Sequence, residues 1–362
     1  MKIYDVAFLG MGASGLATLK LNYENNSISI VGIDKKYNSN RNNFFAFWLT
    51  DWMEEFSELI KNRWHKWEFH FNERNISHES KKMPYCVMRF QDWKKFCIEG
   101  FDNLEIKEND VTSLNKVDDF FEITLDNKEK IYSKRVYDSR TPEEQKNKLK
   151  QHFLGYLIRS EELDYHNIVN LMDFRVTQEA GLHFIYVLPL NNKEILIEST
   201  VFSKTTLEKE WYKNQINKYI NDNLKVQRYK LIEEECGVLP MYSINYKNND
   251  DKHINIGSRG GATKISSGYA FSFFLKQLKS SKHNRKKNHH SFLDNLMDKI
   301  FVNYIENNIG TDVIFQNMVN SINGEEFASF MMGTAKVTTK FKIISSMPKL
   351  GFIQSFFRSY SD

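Results

Sequence analysis

Residues 4–36 constrain this chain more than any other stretch. An apolar strand, Asp5-Val-Ala-Phe-Leu9, runs into Gly10-Met-Gly12-Ala-Ser-Gly15, a helical segment, a second apolar strand at 28–33 and an acid, Asp34, at its end. That order is what a dinucleotide-binding βαβ unit requires, whereas a glycine-rich turn alone occurs in many α/β proteins. Gly10 permits the tight turn, Gly12 lets the backbone approach a pyrophosphate, and Gly15 lets the helix pack on the strand, leaving the anion at a positive helix N-terminus. Asp34 is placed to accept hydrogen bonds from a ribose, and its charge repels a 2′-phosphate. The unit therefore predicts FAD or NAD rather than NADP. Its place at the start of the chain points to FAD by analogy with other flavoproteins.

A chain of 362 residues with 41% hydrophobic content can bury a large core and suggests two lobes. Aromatic residues make up 14%, with 28 Phe and 17 Tyr, enough to line a long apolar cavity as well as fill a core. Fifty Lys and Arg against 46 Asp and Glu leave a net charge of +4 with no arginine-rich segment, which argues against nucleic acid as a partner. Cys86, Cys97 and Cys236 are odd in number and lack Cys-x-x-Cys spacing, so neither a disulfide framework nor a zinc site is expected. The pair His289-His290 has no acidic or cysteine partners beside it, and no metal is expected there either. These features fit a reducing cytoplasm. The first strand begins at once, leaving no room for a signal peptide, and no run of about 18 apolar residues exists to span a bilayer.

Further along, alternation predicts strands at 120–125 and 131–137, the second ending at Asp138-Ser-Arg140. Residues 182–190 and 194–200, around the turn Asn191-Asn-Lys193, read as a hairpin. A helix is expected over 206–223, and the chain beyond 254–267 reads as mostly helical. The basic run from Lys279 to His290 suits a contact with anionic lipid, at roughly 1 kcal/mol per basic residue, or else a solvated loop. The C-terminal stretch 341–357 mixes apolar bulk with lysines and suits either a monotopic surface contact or a core helix broken at Pro348.

Several short segments together resemble the lycopene β-cyclase family of carotenoid biosynthesis. They are Leu171-Met172-Asp173, Phe184-Ile-Tyr186-Val187-Leu188-Pro189-Leu190 and Leu196-Ile197-Glu198-Ser199-Thr200, with Phe47-Trp48, Asp138-Ser139-Arg140, Gln151-His-Phe153-Leu-Gly155, Gly237-Val-Leu-Pro240 and Gly268-Tyr269. Their order and spacing carry the likeness over most of the chain. The resemblance implies an α/β fold: an FAD/NAD(P)-binding Rossmann-like domain over 1–149 and 241–285, an inserted β-sheet substrate domain over 150–240, and a helical C-terminal region over 286–362.

The resemblance also implies a chemistry. The enzyme would convert the ψ-ends of lycopene, or a related linear carotenoid, to β-rings without net redox change, with reduced FAD present and NAD(P)H as an external reductant. Protonating an alkene needs an acid still protonated at neutral pH, and a carboxyl in an apolar pocket meets that need because desolvation raises its pKa. Glu198, between apolar strand neighbours, matches the family's catalytic acid. Phe47, Trp48 and Tyr269 are the aromatic candidates for substrate binding and cation stabilisation. Gly10, Gly12, Gly15, Asp34, Arg89, Asp138, Arg140, Gly257 and Gly268 form the expected cofactor-binding set.

This chain departs from the family pattern at Thr141, at Ala262–Ser267 and at Ser199, where a second acid is expected to be missing. Such a protein resides in the cytoplasm, peripheral on the inner face of the membrane if the basic run and the C-terminal stretch meet lipid. The alternatives are a redox flavoenzyme acting on an isoprenoid or aromatic substrate, and an FAD-binding homologue that has lost cyclisation. Against an aromatic hydroxylase, the usual Gly-Asp near the flavin ribityl reads Gly257-Ser258. If Asp34 holds the ribose, Asp34→Ala weakens FAD retention, checked by the flavin absorbance of purified protein; a fully loaded variant would remove that assignment.

Overall fold

The computed structural model describes all residues except 1, 25–27, 40–42, 165, 245–250, 282–289, 309–311 and 360–362. Its first lobe is built on a five-stranded parallel sheet, in the order His253–Asn255, Val136–Asp138, Val6–Leu9, Ile30–Ile33 and Leu104–Lys107. Every residue of Val6–Leu9 and Ile30–Ile33 is buried, as a parallel sheet covered on both faces requires. Helix Ala13–Tyr23 makes the crossover between these two strands. At its start a Cβ on Gly15 would lie 2.3 Å from the Gly10 carbonyl oxygen, so only glycine lets the helix sit this close to the turn.

The stretch 131–137 is not one strand. Lys130–Ser133 joins a small sheet with Phe120–Leu125, Val111–Val117 and Ile3–Tyr4, whereas Val136–Asp138 belongs to the parallel sheet. The Ser133 hydroxyl donates to the Arg135 carbonyl at 2.8 Å, closing the local turn that separates them. Apolar alternation continues through such a break, which is why periodicity alone reads it as continuous.

The second lobe is a seven-stranded sheet ordered Lys230–Pro240, Lys150–Arg159, Glu194–Ser203, Leu182–Pro189, Val169–Asp173, Lys66–His70 and Asn75–Glu79. The expected hairpin is present, with Tyr186 opposite Glu198. The sheet extends beyond 150–240, because Lys66–His70 pairs in parallel with Val169–Asp173. Trp67, Phe69 and His78 bury alternate positions of those two outer strands against the same core. A three-stranded sheet of Phe44–Trp48, Tyr85–Arg89 and Ile60–Trp64 is interleaved in sequence with strands of both lobes.

Strand Glu194–Ser203 has two apolar faces. Ile195, Ile197 and Val201 pack with Tyr212, Ile216 and Ile220 of the helical segment that begins at Lys209, while Leu196 and Phe202 join the main core. That helix starts at 209 rather than 206 and continues as a π-turn over Ile220–Leu224. At the other end of the chain, helices Phe271–Ser281, Phe292–Asn307, Asp312–Ser321, Gly324–Met331, Val337–Ser346 and Lys349–Ser359 close over the free face of the large sheet. Pro348 separates the last two, as its missing N–H and ring clash require. Buried ion pairs lock this cover: Lys264 with Asp298 at 2.5 Å, and Lys340 with Asp294 at 2.7 Å. Among the described residues no helix is long and apolar enough to cross a membrane.

Candidate active site

Between the large sheet, the glycine-rich turn and the C-terminal helices lies a cavity of about 1160 Å³. It runs from Gly12, Ala13 and Ser14 to Phe352 and Phe356, and its walls are mostly apolar or aromatic. Glu198 stands on this wall. The pleat explains its direction: Ile197 and Ser199 turn to the helix-covered face, so Glu198 must turn to the cavity.

A second carboxylate meets it there. Gly155 pairs with Glu198 on one side and with Glu235 on the other, placing Glu198, Gly155 and Glu235 in one row across three strands. A Cβ on Gly155 would lie 2.8 Å from the Glu198 Cγ and 3.3 Å from the Glu235 Cγ, so the two side chains converge over the notch that glycine leaves. They hydrogen-bond one another. Burial pushes the Glu198 carboxyl well above the ordinary range, and the charge of Glu235 and the hydrogen bond to it push the same way. Burial also raises Glu235, to about 7, against the hydrogen bonds from Glu198 and from the Phe44 amide at 3.3 Å. One proton therefore stays on the pair at neutral pH, and Glu198 is its stronger holder.

The missing second acid is thus corrected. Ser199 faces away from the cavity, and its hydroxyl meets Nε2 of the buried His183 at 2.9 Å, so a carboxylate there would not reach the site. Glu235, absent from the sequence reading, supplies the second group from the edge strand. The one local signal for it is a glycine in mid-strand at 155, a position where neighbouring side chains approach closely.

Aromatic groups surround the pair. Tyr186 lies beside Glu198 in register, and the Tyr85 hydroxyl sits between those of Tyr186, at 2.8 Å, and Tyr269, at 2.7 Å. The Trp48 ring is 4.6 Å from Tyr85 and 5.4 Å from Tyr269. Trp48 and Tyr269 line the cavity as expected. Phe47 does not: fully buried, it stacks on Phe271 at 4.7 Å, and Phe271 supplies the wall there, so Phe47 stands one ring behind the lining.

At the other end, Gly12 caps helix Ala13–Tyr23 with no side chain over the first turn, and a Cβ built on it meets nothing within 4 Å. Open amides at a helix N-terminus suit a pyrophosphate. Gly257, at φ 62°, brings its backbone against Ser14. Asp34 accepts from the amides of Met11, at 3.0 Å, and Lys36, at 2.8 Å, which hold its carboxylate at the end of the second strand beside the glycine turn. Beside Gly268, Gln151 Oε1 and Ser267 Oγ are buried on the cavity wall without hydrogen-bond partners. Open helix amides and unpartnered polar atoms on the wall fit a flavin dinucleotide.

Asp138 is fully buried. Burial opposes its charge, but His253 at 3.8 Å and the guanidiniums of Arg140, at 2.7 Å, and Arg259, at 3.2 Å, outweigh it and hold the carboxyl at about 2. Asp138, Arg140 and Arg259 thus form an ion cluster at the strand end. Arg89 is taken up by Glu233 at 3.1 Å and by the Phe44 ring, 4.6 Å from its guanidinium.

A family model described as lycopene cyclase protein matches residues 5–353. The chain belongs to the lycopene cyclase family. No curated protein sequence matches it. The fold of this lycopene cyclase family member is shared with flavoproteins of distant sequence. A geranylgeranyl bacteriochlorophyll reductase-like protein from Thermoplasma acidophilum aligns with TM-score 0.61 and 12% identity over 98% of each chain. A flavoprotein/dehydrogenase from Cytophaga hutchinsonii gives 0.57 and 13% over 96% of this chain and 100% of its own. A p-nitrophenol 4-monooxygenase from Pseudomonas putida gives 0.57 and 9% over 98% and 97%. At these identities the likeness establishes the architecture alone.

The notch over Gly155 is directly testable. Gly155→Ala forces a methyl against both carboxylate stems and is expected to destabilise the fold by about 1–3 kcal/mol in urea unfolding; an unchanged midpoint would show that the side chains do not converge there.

Proposed function

We propose that this protein cyclises the ψ-ends of lycopene, or of a related linear carotenoid, to β-rings by acid-initiated carbocation chemistry. The observation that carries this reading is a carboxyl group kept protonated by burial and by a neighbouring carboxylate, on the wall of a large aromatic cavity. Glu198 gives its proton to the terminal alkene. The tertiary cation closes on the next double bond, and loss of a ring proton restores neutrality. The apolar wall keeps water from trapping the cation, and the π-faces of Trp48 and Tyr269, with Tyr85 and Tyr186, stabilise it as they would an ammonium. Reduced FAD, held by Gly10, Gly12, Gly15 and Asp34, would supply negative charge beside the cavity, with NAD(P)H as the external reductant.

Delivery of the hydrocarbon follows from the C-terminal helices. Leu350 is 81% exposed, Phe357 67% and Phe341 61%, with Ile344 and Ile353 between them. Ile344, Ile353 and Phe357 also line the cavity, so its mouth lies within this apolar face. Such a face, with Lys342, Lys349 and Arg358 on the same two helices, suits a peripheral contact with the inner surface of the cell membrane, and the substrate then passes from lipid to the acid without crossing water. Within the basic run, Lys279 pairs with Glu55 at 3.5 Å, and 282–289 lie outside the described residues.

Glu198→Gln is expected to keep FAD and lower ring formation by about 10²–10⁴-fold in lycopene-accumulating cells, read by pigment chromatography. Undiminished β-carotene would sink the role of Glu198. Replacing Leu350 and Phe357 with Glu should abolish co-flotation with anionic phospholipid vesicles while flavin content stays constant; flotation unchanged would remove the membrane face.

A further inference from the structure

We propose that Glu235 is the positioning partner of Glu198: it keeps the proton on Glu198 between turnovers and makes the spent carboxylate a base strong enough to recover a proton from the closed ring. This deepens the cyclase reading and rests on it. The geometry is one-sided. Glu198 faces the cavity, whereas Glu235 is not among the cavity-lining residues and reaches the reaction only through its hydrogen bond to Glu198. It cannot touch substrate, yet it is the nearest charge.

The groups facing the pair support this division. On the cavity side the hydroxyls of Tyr186, Tyr85 and Tyr269 stand nearest in the hydrogen-bonded row, and burial keeps them neutral. On the edge side Glu235 accepts from the Phe44 amide, and the nearby cation, Arg89, is engaged by Glu233. Among the described residues no cation contacts Glu198, and its charge state answers to Glu235. Ionising Glu198 while Glu235 is charged would put two negative charges over Gly155, which holds the acid loaded.

The step balances. Glu198 loses a proton to one alkene carbon, a C–C bond closes the ring, and a ring carbon attached to the same quaternary centre yields a proton to the Glu198 carboxylate. Two π bonds become one σ and one π bond. No electron leaves the substrate, and the pair ends with the proton it began with. Right after donation both carboxylates are charged and repel, so recapture is favoured exactly when the ring cation must be quenched.

The test is the pH dependence of ring formation by the reduced, flavin-loaded enzyme on lycopene in phospholipid vesicles. Activity falls as rising pH strips the proton from Glu198. Glu235→Gln removes the repelling charge, makes Glu198 easier to ionise, and should move that fall to lower pH by about one unit or more, a tenfold loss on the high-pH side. Arg89→Gln, at the partly exposed edge, removes a cation that helps keep Glu235 charged, so Glu235 stays protonated to higher pH, repels the ionisation of Glu198 less, and the fall should move to lower pH, in the same direction as in Glu235→Gln. A Glu235→Gln enzyme with the wild-type profile overturns the proposal. Should that variant fail to retain flavin, an unmoved profile in Arg89→Gln overturns it instead. Ring formation surviving in Glu198→Gln would sink the underlying cyclase reading, whereas an inactive Glu198→Gln beside an unshifted Glu235→Gln sinks only the partnership.

Discussion

Two carboxyl groups meeting over a glycine, on the dry side of a sheet, are the interaction around which this molecule is organised. Carboxylates are rarely buried without a cation, because desolvation and mutual repulsion both oppose their charge. Here that cost is turned to use: sharing one proton relieves the repulsion and leaves an acid loaded at neutral pH. The arrangement needs three neighbouring strands, a missing side chain on the middle one, and a cover that excludes water. Gly155, the pairing of Lys150–Arg159 with strands on both sides, and the C-terminal helices supply these in turn.

The large sheet keeps two kinds of chemistry apart by its pleat. Its helix-covered face carries Ile195, Ile197 and Val201 with a buried His183–Ser199 contact, and its other face puts Glu198 and Tyr186 on the cavity wall, with Glu235 behind Glu198 across Gly155. One strand thereby serves as core and as wall. On the small sheet Trp48 lines the cavity directly, while Phe47 supports the lining ring of Phe271 from behind. At the opposite end the glycine turn leaves helix amides bare, and an ion cluster holds Asp138 at the end of the neighbouring strand.

The C-terminal helices explain how a cavity this apolar stays closed and yet reachable. Buried pairs such as Lys264–Asp298 fasten the cover to the loop before Tyr269, while Pro348 splits its outer edge into two short helices whose exposed apolar side chains frame the mouth. An uncompensated charge in either buried pair would be costly, on the order of 3–5 kcal/mol, so the pairs specify one seating of the helices on the sheet.

What the amino-acid order determined by itself is local or carried by family spacing. The βαβ turn was legible because each glycine and the terminal Asp34 act within one short unit, and Glu198 because its apolar neighbours and flanking motif mark a strand with an acid in it. The hairpin, the helical end and the family followed from the same kind of signal. The tertiary structure alone decided the rest. Glu235 lies 37 positions from Glu198, and nothing in either segment says that Gly155 will bring them together; only strand pairing does. Ser199 was misread because a motif names adjacent residues while the pleat sends Glu198 and Ser199 to opposite faces, and Phe47 because nothing in its segment says that Phe271 will fold in front of it. Residues 66–79 joined the large sheet through a parallel pairing that no local pattern encodes, since hydrogen bonds between strands depend on where the chain returns and not on what precedes it.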